Sequence, residues 1–390
     1  MESDRESGAN LAYPQTERKR NTLVAGAFIR RAMTSHSCML SRSTAASMRL
    51  LFGLPFACLN TMIDAGPRRP VRVPPRHSDT QRSMNARGPE PPSAIHAAYE
   101  SPLGVSLHGT LEQFLASGEA GKYAGKVQLV FTSPPFPLNR KKKYGNLQGE
   151  AYLEWLAGFA PALGEMLRPK GSVVLELGNA WVPGLPAMST LALRALLRFL
   201  EAGRLHLCQQ FICYNPARLP SPAEWVNIKR IRVKDSFTHL WWMSRTAFPN
   251  ASNRRVLKPY SEAMHKLLAK QSYNSGKRPS QHDIGKTSFL TNNGGAIPSN
   301  VLTVANTRTN DAYQEYCRTH QLHPHPARMP QEVAEFFIRF LTKKGDLVLD
   351  PFAGSNTTGA VAELLGRRWL SLELNGDYIE ASKGRFSHLR

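Results

Sequence analysis

Between Gly345 and Gly366 the chain admits very few folds. A short apolar run, Leu347 to Leu349, ends in the acidic Asp350; Pro351, Phe352, Ala353, Gly354, Ser355 and Asn356 follow, and helical spacing starts near Thr357. Strand, acidic tip, glycine-bearing loop and helix in that order form one βα unit of an open α/β sheet, in which the loop after the strand is a ligand site. A second apolar run, Trp369 to Leu372, ends in Glu373. It lies roughly 20 residues on, the spacing at which an acidic side chain at a neighbouring strand tip grips ribose hydroxyls.

A second constellation lies upstream. The apolar run Val127, Leu129, Val130, Phe131 leads into Ser133, Pro134, Pro135 and Phe136, and the cationic run Arg140, Lys141, Lys142, Lys143 follows. Successive prolines fix two φ angles and push Ser133 and Pro134 towards extended geometry, so the carbonyls here stay free of any helix. Hydroxyl and carbonyl oxygens held this way can accept both N–H bonds of an exocyclic amine while the Phe136 ring stacks on its heterocycle. The neighbouring cations would hold phosphates. Alone, a Pro-Pro-aromatic segment is more often simply a turn; the nucleotide-type loop downstream gives it chemical meaning.

Together the two motifs resemble the amino-methylating DNA methyltransferases that use S-adenosyl-L-methionine. The resemblance is to the beta-class group with permuted motif order, in which the catalytic motif precedes the cofactor loop. It spans about residues 100 to 390 and takes in Tyr144-Gly145-Asn146, the segments Asn215 to Pro220 and Arg230 to Asp235, and His325-Pro326-Ala327-Arg328. What it implies is a doubly wound, mostly parallel α/β sheet with an inserted target-recognition region. Asp350, Pro351, Phe352, Ala353, Gly354, Ser355, Asn356, Thr357 and Glu373 would bind the cofactor, with Pro326 and Arg328 over its methionine end. Ser133, Pro134, Pro135 and Phe136 would carry catalysis. Asn356 stands where the commoner family loop has a second glycine, and asparagine is among the side chains that best tolerate left-handed backbone.

The first residue of the catalytic motif directs the choice of base. Adenine-specific relatives mostly carry Asp or Asn where this chain has Ser133, and the shorter hydroxyl suits the smaller cytosine ring, so the expected product is N4-methylcytosine in double-stranded DNA. Methylation of adenine N6 is the alternative. An RNA or small-molecule methyltransferase would not account for the long basic insertion, and a decayed DNA-binding scaffold would not have kept every motif residue. The resemblance further implies a monomeric modification enzyme of a type II restriction-modification system, whose cognate endonuclease acts on the same site without obligatory contact. If it extends through the recognition region, the target is CAGCTG.

Charge agrees with a polyanionic partner: 50 lysines and arginines against 29 acidic residues give a net charge of +21, a nucleic-acid signature more than a membrane one. No apolar run approaches a membrane span, and the five cysteines show no metal-ligand spacing, which fits a reduced cytoplasm without structural zinc. No Pro-Cys dipeptide occurs, so the usual nucleophile of ring-carbon cytosine methylation is missing.

Residues 1 to about 95 are rich in Arg, Ser and Pro and read as a disordered basic segment or an over-long start, with Met48, Met62 and Met84 as alternatives. Ordered sequence is expected from near Ala98. Residues 98–245 read as the catalytic half, with a helix from Tyr152 to Leu167 ended by Arg168 to Gly171, a strand from Ser172 to Leu177, a helix from Ala187 to Glu201, and strands at Leu205–Tyr214 and Thr238–Met243. The alternation argues a parallel sheet. Residues 246–324 are polar and basic and read as the target-recognition region. Arg230, Arg232, Arg254 and Arg255 are candidate DNA contacts. Residues 325–390 complete the cofactor half.

Overall fold

The two sequence motifs lie on adjacent strands. A computed structural model describes residues 91–135, 147–305 and 311–389, and these are built around a nine-stranded sheet. β1 (His96–Ser101) and β2 (Gly104–His108) form an antiparallel hairpin. From β2 a parallel series runs through β11 (Arg368–Glu373), β10 (Leu347–Asp350), β3 (Val127–Thr132) and β4 (Leu167–Gly178). β6 (Phe237–Ser244) then pairs antiparallel with β4 and with β5 (His206–Tyr214), and β9 (Val301–Thr303) closes that edge parallel to β5.

Why the middle of the sheet is parallel follows from its residues. β3 and β10 are buried along their whole length, as strands covered on both faces must be. Val130, Val173, Leu349 and Leu370 face one core with α1 (Leu111–Ala116), α2 (Gly149–Gly158), α3 (Ala160–Met166) and α4 (Leu191–Gly203). Their neighbours Leu129, Val174, Val348 and Trp369 face a second core with α7 (Gln331–Leu341) and α8 (Thr357–Leu364). Helices cover both faces, and the doubly wound expectation therefore holds.

The sequence reading departs from the structure in several places. The sheet is mostly parallel as expected, but Thr238–Met243, read as one more strand of the alternation, lies antiparallel, because β5 reaches β6 through the Asn215–Ser236 connection without a long crossover helix. The helix expected across 152–167 breaks at Phe159, where Pro161 in the first turn of α3 starts a new helix, and Arg168 to Gly171 already belong to β4. Residues 187–190 precede α4 in a turn held by Ser189 N–H on the Ala180 carbonyl. Order begins before Ala98: Gln113 Nε2 donates to the Pro92 carbonyl at 2.6 Å, and Ile95 packs on the first core. The remainder of the 1–95 expectation, and the alternative starts, lie outside the described residues.

The region 246–324 is not one insertion. Asn250 and Ser252 N–H groups bond the carbonyls of Lys170 and Phe340, tying its start to the sheet. Its last part supplies β9 and α6 (Ala312–Thr319), whose Tyr313 and Cys317 are buried beside Ala381 of α9 (Gly376–Ser382). Between them Lys258 and Ala296 form an antiparallel bridge, with N···O distances of 2.9 and 2.8 Å. The chain between the two holds α5 (Glu262–Lys270) and the small hairpin β7 (Gly276–Lys277) and β8 (Asp283–Ile284). Among the described residues no helix is long and apolar enough to cross a membrane, and no cluster of three His, Cys, Asp or Glu side chains could hold a metal ion.

Candidate active site

Parallel strands bring their C-terminal ends to one edge, and there the loops after β3, β10 and β11 diverge around a cleft of about 540 Å³. That volume lies in the range of about 300–1,000 Å³ usual for small-molecule sites. One end of the cleft carries the cofactor motif and the other the paired prolines.

At the first end, the Gly354 N–H donates to Glu373 Oε2 at 2.7 Å and the Asn375 N–H to Oε1 at 2.9 Å. Burial raises the Glu373 carboxyl to about 7, against the pull of these donors and with a further push from Asp350. Each oxygen retains a lone pair beyond its backbone bond. Asp350 acts differently. Its Oδ1 accepts from Thr132 Oγ1 at 2.6 Å and from the Phe352 N–H at 3.2 Å, and its Oδ2 from Thr358 Oγ1 at 2.6 Å. It lines the cleft, but its bonds join β3, the loop and α8 into one rigid unit.

The loop's backbone explains its residues. Gly354 has φ +53°, and a Cβ there would meet His325 Nε2 at 3.1 Å. Asn356 takes left-handed geometry with φ +51°; its Oδ1 caps α8 by accepting the Gly359 N–H at 3.1 Å, and its Nδ2 donates to Tyr99 Oη at 2.8 Å. Asparagine thus meets both demands of a position where glycine is commoner. Arg385 holds the loop from behind, with Nε on the Ser355 carbonyl at 2.7 Å and Nη2 on Ser355 Oγ at 3.0 Å. Phe352 packs against Trp155 at 5.6 Å between ring centroids, and both line the cleft beside Tyr152. The Tyr152 hydroxyl is buried with no partner among the described residues, and burial pushes its pKa up. An orphaned hydroxyl, an acidic hydroxyl-acceptor and an aromatic wall suit a ligand with ribose and a cationic centre such as a sulfonium.

Of the two residues expected over the methionine end, Arg328 lines the cleft, held by Asp311 at 3.2 Å and lying over the Tyr313 ring. Pro326 is exposed and does not line it, whereas its neighbours His325 and Ala327 do.

At the second end Ser133, Pro134 and Pro135 line the cleft opposite Glu176 and Thr238. Thr238 Oγ1 donates to Glu176 Oε1 at 2.8 Å, and the Ser133 hydroxyl lies at the same end of the cleft, where it favours the ionised carboxyl. Burial pushes the Glu176 pKa up, while those hydroxyls and the charge of Arg218 pull against it. Phe136 and Arg140, Lys141, Lys142 and Lys143 lie outside the described residues.

The four arginines expected on DNA separate. Arg230 is exposed on the Asn215–Asp235 connection, whose first residues Asn215 and Arg218 line the cleft; Arg232 is on the same segment, its Nε bound to the Pro186 carbonyl at 3.0 Å. Arg254 and Arg255 lie elsewhere. Pro330 at the head of α7 lines the cleft, whereas Arg255 donates to the carbonyls of Arg339 and Phe340 near its tail, both at 2.6 Å. Eleven residues of helix separate those ends by about 16 Å. Arg255 therefore caps the C-terminal end of α7.

Glu176, Thr238, Arg218, Tyr152 and the 109–112 turn were not legible as site residues. For Glu176 a signal existed: one acidic residue inside the apolar run Val173 to Leu177, just before Gly178, is the pattern of a functional strand tip.

A family model described as DNA methylase matches residues 127–384. The chain is 46% identical over 262 residues to the type II methyltransferase M.PvuII of Proteus hauseri, covering 67% of this chain and 78% of that one. To M.BglII of Bacillus subtilis it is 25% identical over 260 residues, covering 65% and 62%. A solved structure, PvuII DNA methyltransferase (cytosine-N4-specific), superposes with a TM-score of 0.59 at 37% identity over 74% of this chain and 88% of that one. The matched span runs from β3, through the paired prolines and both acidic strand tips, to the residue before Arg385, and on that span the chain belongs to the N6/N4 DNA methylase family.

Proposed function

We propose that this protein transfers a methyl group from S-adenosyl-L-methionine to N4 of cytosine in duplex DNA. The observation that carries the proposal is the placing of Ser133, Pro134 and the buried Glu176 around one end of the cleft whose other end carries the cofactor motif. A serine that gives its hydrogen to the neighbouring Glu176 carboxyl would turn its lone pairs to the cleft, where they accept an amine hydrogen. The Pro134 carbonyl takes the second, so charge gathers on nitrogen and the amine is aligned for attack. When bound, S-adenosyl-L-methionine supplies a methyl group activated by a sulfonium. Glu373 and the Tyr152 hydroxyl would hold its polar groups, and Trp155 with Phe352 its cationic centre. As the C–N bond forms, the amine proton passes to Ser133 Oγ while the hydroxyl proton passes to Glu176, whose burial favours the protonated form.

Similarity to M.PvuII supports the cytosine assignment over adenine. Within this reading the enzyme works as a cytoplasmic monomer and protects a site that a separate restriction endonuclease cuts without touching it. Arg140 to Lys143 and Arg230 hold phosphates, and the segment between Lys258 and Ala296 contributes to target choice.

The test is to methylate duplex DNA, digest it to nucleosides and identify the product by mass spectrometry. N4-methylcytosine is expected. N6-methyladenine would overturn the base assignment, and C5-methylcytosine the whole mechanism. Ser133→Ala should lower kcat by about 10²–10³-fold with cofactor affinity unchanged.

A further inference from the structure

The Asn215–Asp235 connection, which has one foot in the cleft at Asn215 and Arg218, carries exposed apolar side chains on a fixed frame. Leu219 is 80% exposed and Val233 85% exposed. Lys234 Nζ donates to the carbonyls of Pro216 and Arg218, at 3.0 and 3.3 Å, which ties the two ends of the connection to one another. The Asp235 N–H bonds the Ser221 carbonyl at 3.0 Å, and the Ile231 N–H bonds the Trp225 carbonyl at 2.9 Å. A loop this well bonded does not fold its apolar tips away from water. Exposed cations stand among them at Lys229 and Arg230, while Arg232 and Lys234 donate to backbone carbonyls that fix the loop. Apolar tips beside exposed cations, on a connection whose first residues line the cleft, match what a protein needs to part a base stack. Phosphates are held on both sides, and an apolar side chain fills the vacated space.

Resting on the duplex-methylation reading above, we infer that Leu219 and Val233 form a wedge that enters the DNA stack where the target nucleotide leaves it for the cleft. The wedge acts before chemistry. It stabilises the extruded state and takes no part in methyl transfer.

The test uses the full chain and a Leu219→Ser/Val233→Ser double variant on two duplexes, one fully paired and one with an abasic site opposite the target. In the second the pair is already broken. Single-turnover methylation of the paired duplex should fall about tenfold or more in the variant, and a fluorescent base analogue at the target should report less extrusion. On the abasic duplex the two proteins should agree within about twofold. Equal loss on both duplexes would overturn the wedge and leave a plain binding surface. So would unchanged rates on both, and a wild-type dimer that the substitutions dissociate would assign the patch to a second copy. If wild type methylates neither duplex, the failure belongs to the proposed function and not to the wedge. Both side chains lie on the surface, so calorimetric cofactor binding by the variant serves as the folding control.

Discussion

Cofactor affinity should depend on pH through Glu373. The carboxyl is raised to about 7 by burial, and only its ionised form can accept ribose hydroxyls with both oxygens after serving Gly354 and Asn375. With a pKa near 7, about one tenth of it is ionised at pH 6 and about nine tenths at pH 8. The dissociation constant for S-adenosyl-L-methionine should therefore weaken about tenfold between pH 8 and pH 6, and binding at pH 7 should release about half a proton. The sign for stability follows. A folded-state pKa above the ordinary carboxylate range makes ionisation oppose folding, so the cofactor-free protein loses stability as pH rises towards and through 7. Bound hydroxyls relieve that burden, and the thermal shift produced by cofactor should be larger at pH 8 than at pH 6. Titration calorimetry in two buffers of different ionisation enthalpy measures affinity and proton release together. Glu373→Gln is the control, because the cofactor's own amino group titrates nearby; the variant should bind weakly and lack the carboxyl-linked part of the pH dependence. Wild-type and variant profiles of the same shape would refute the assignment.

Two further outcomes follow from the cofactor loop. Asn356→Ala loses the α8 cap and puts a Cβ-branching-free but chiral residue in left-handed backbone, which together should cost about 2–3 kcal/mol in urea unfolding. Asn356→Gly should cost clearly less, and equal losses would show that the backbone geometry is not what matters. Arg385→Met removes two bonds to Ser355 and should weaken cofactor binding roughly tenfold by calorimetry while kcat at saturation changes little.

Where local physics decides, the sequence was legible. The strand, acidic tip, left-handed turn and helix from Leu347 to Leu364 appear where expected, because each step depends on residues within a few positions of it. Asn356 shows the same, its left-handed φ and its cap both being local properties. Partners distant in the chain were not legible. Arg255 has the composition of a phosphate contact, yet its partners are carbonyls 84 and 85 residues away. Asp350 was read as a ligand to the cofactor, and nothing local reveals that Thr132, 218 residues distant in sequence, is one of its donors. The direction of β6 was missed for a related reason: alternating strands and helices describe the first half of the sheet, whereas β5 and β6 are joined by a long loop whose pairing only the fold discloses.

The bridge between Lys258 and Ala296 bears on how such an enzyme could acquire a new target. The polypeptide leaves the body at one strand of that bridge and returns at the other, so the ends of the enclosed stretch are hydrogen-bonded neighbours. Whatever is spliced between them has its closure supplied by the body, and its length has little bearing on the sheet, since loop-closure entropy grows only slowly with length. Cutting at 246 or 324 instead would remove the Arg255 cap from α7 and the Tyr313 helix from beneath the cofactor loop. On the proposed reading of this stretch as a contributor to target choice, the cassette for exchanging specificity is shorter than the change in sequence texture, and it can be rewritten residue by residue or wholesale without reopening the catalytic body.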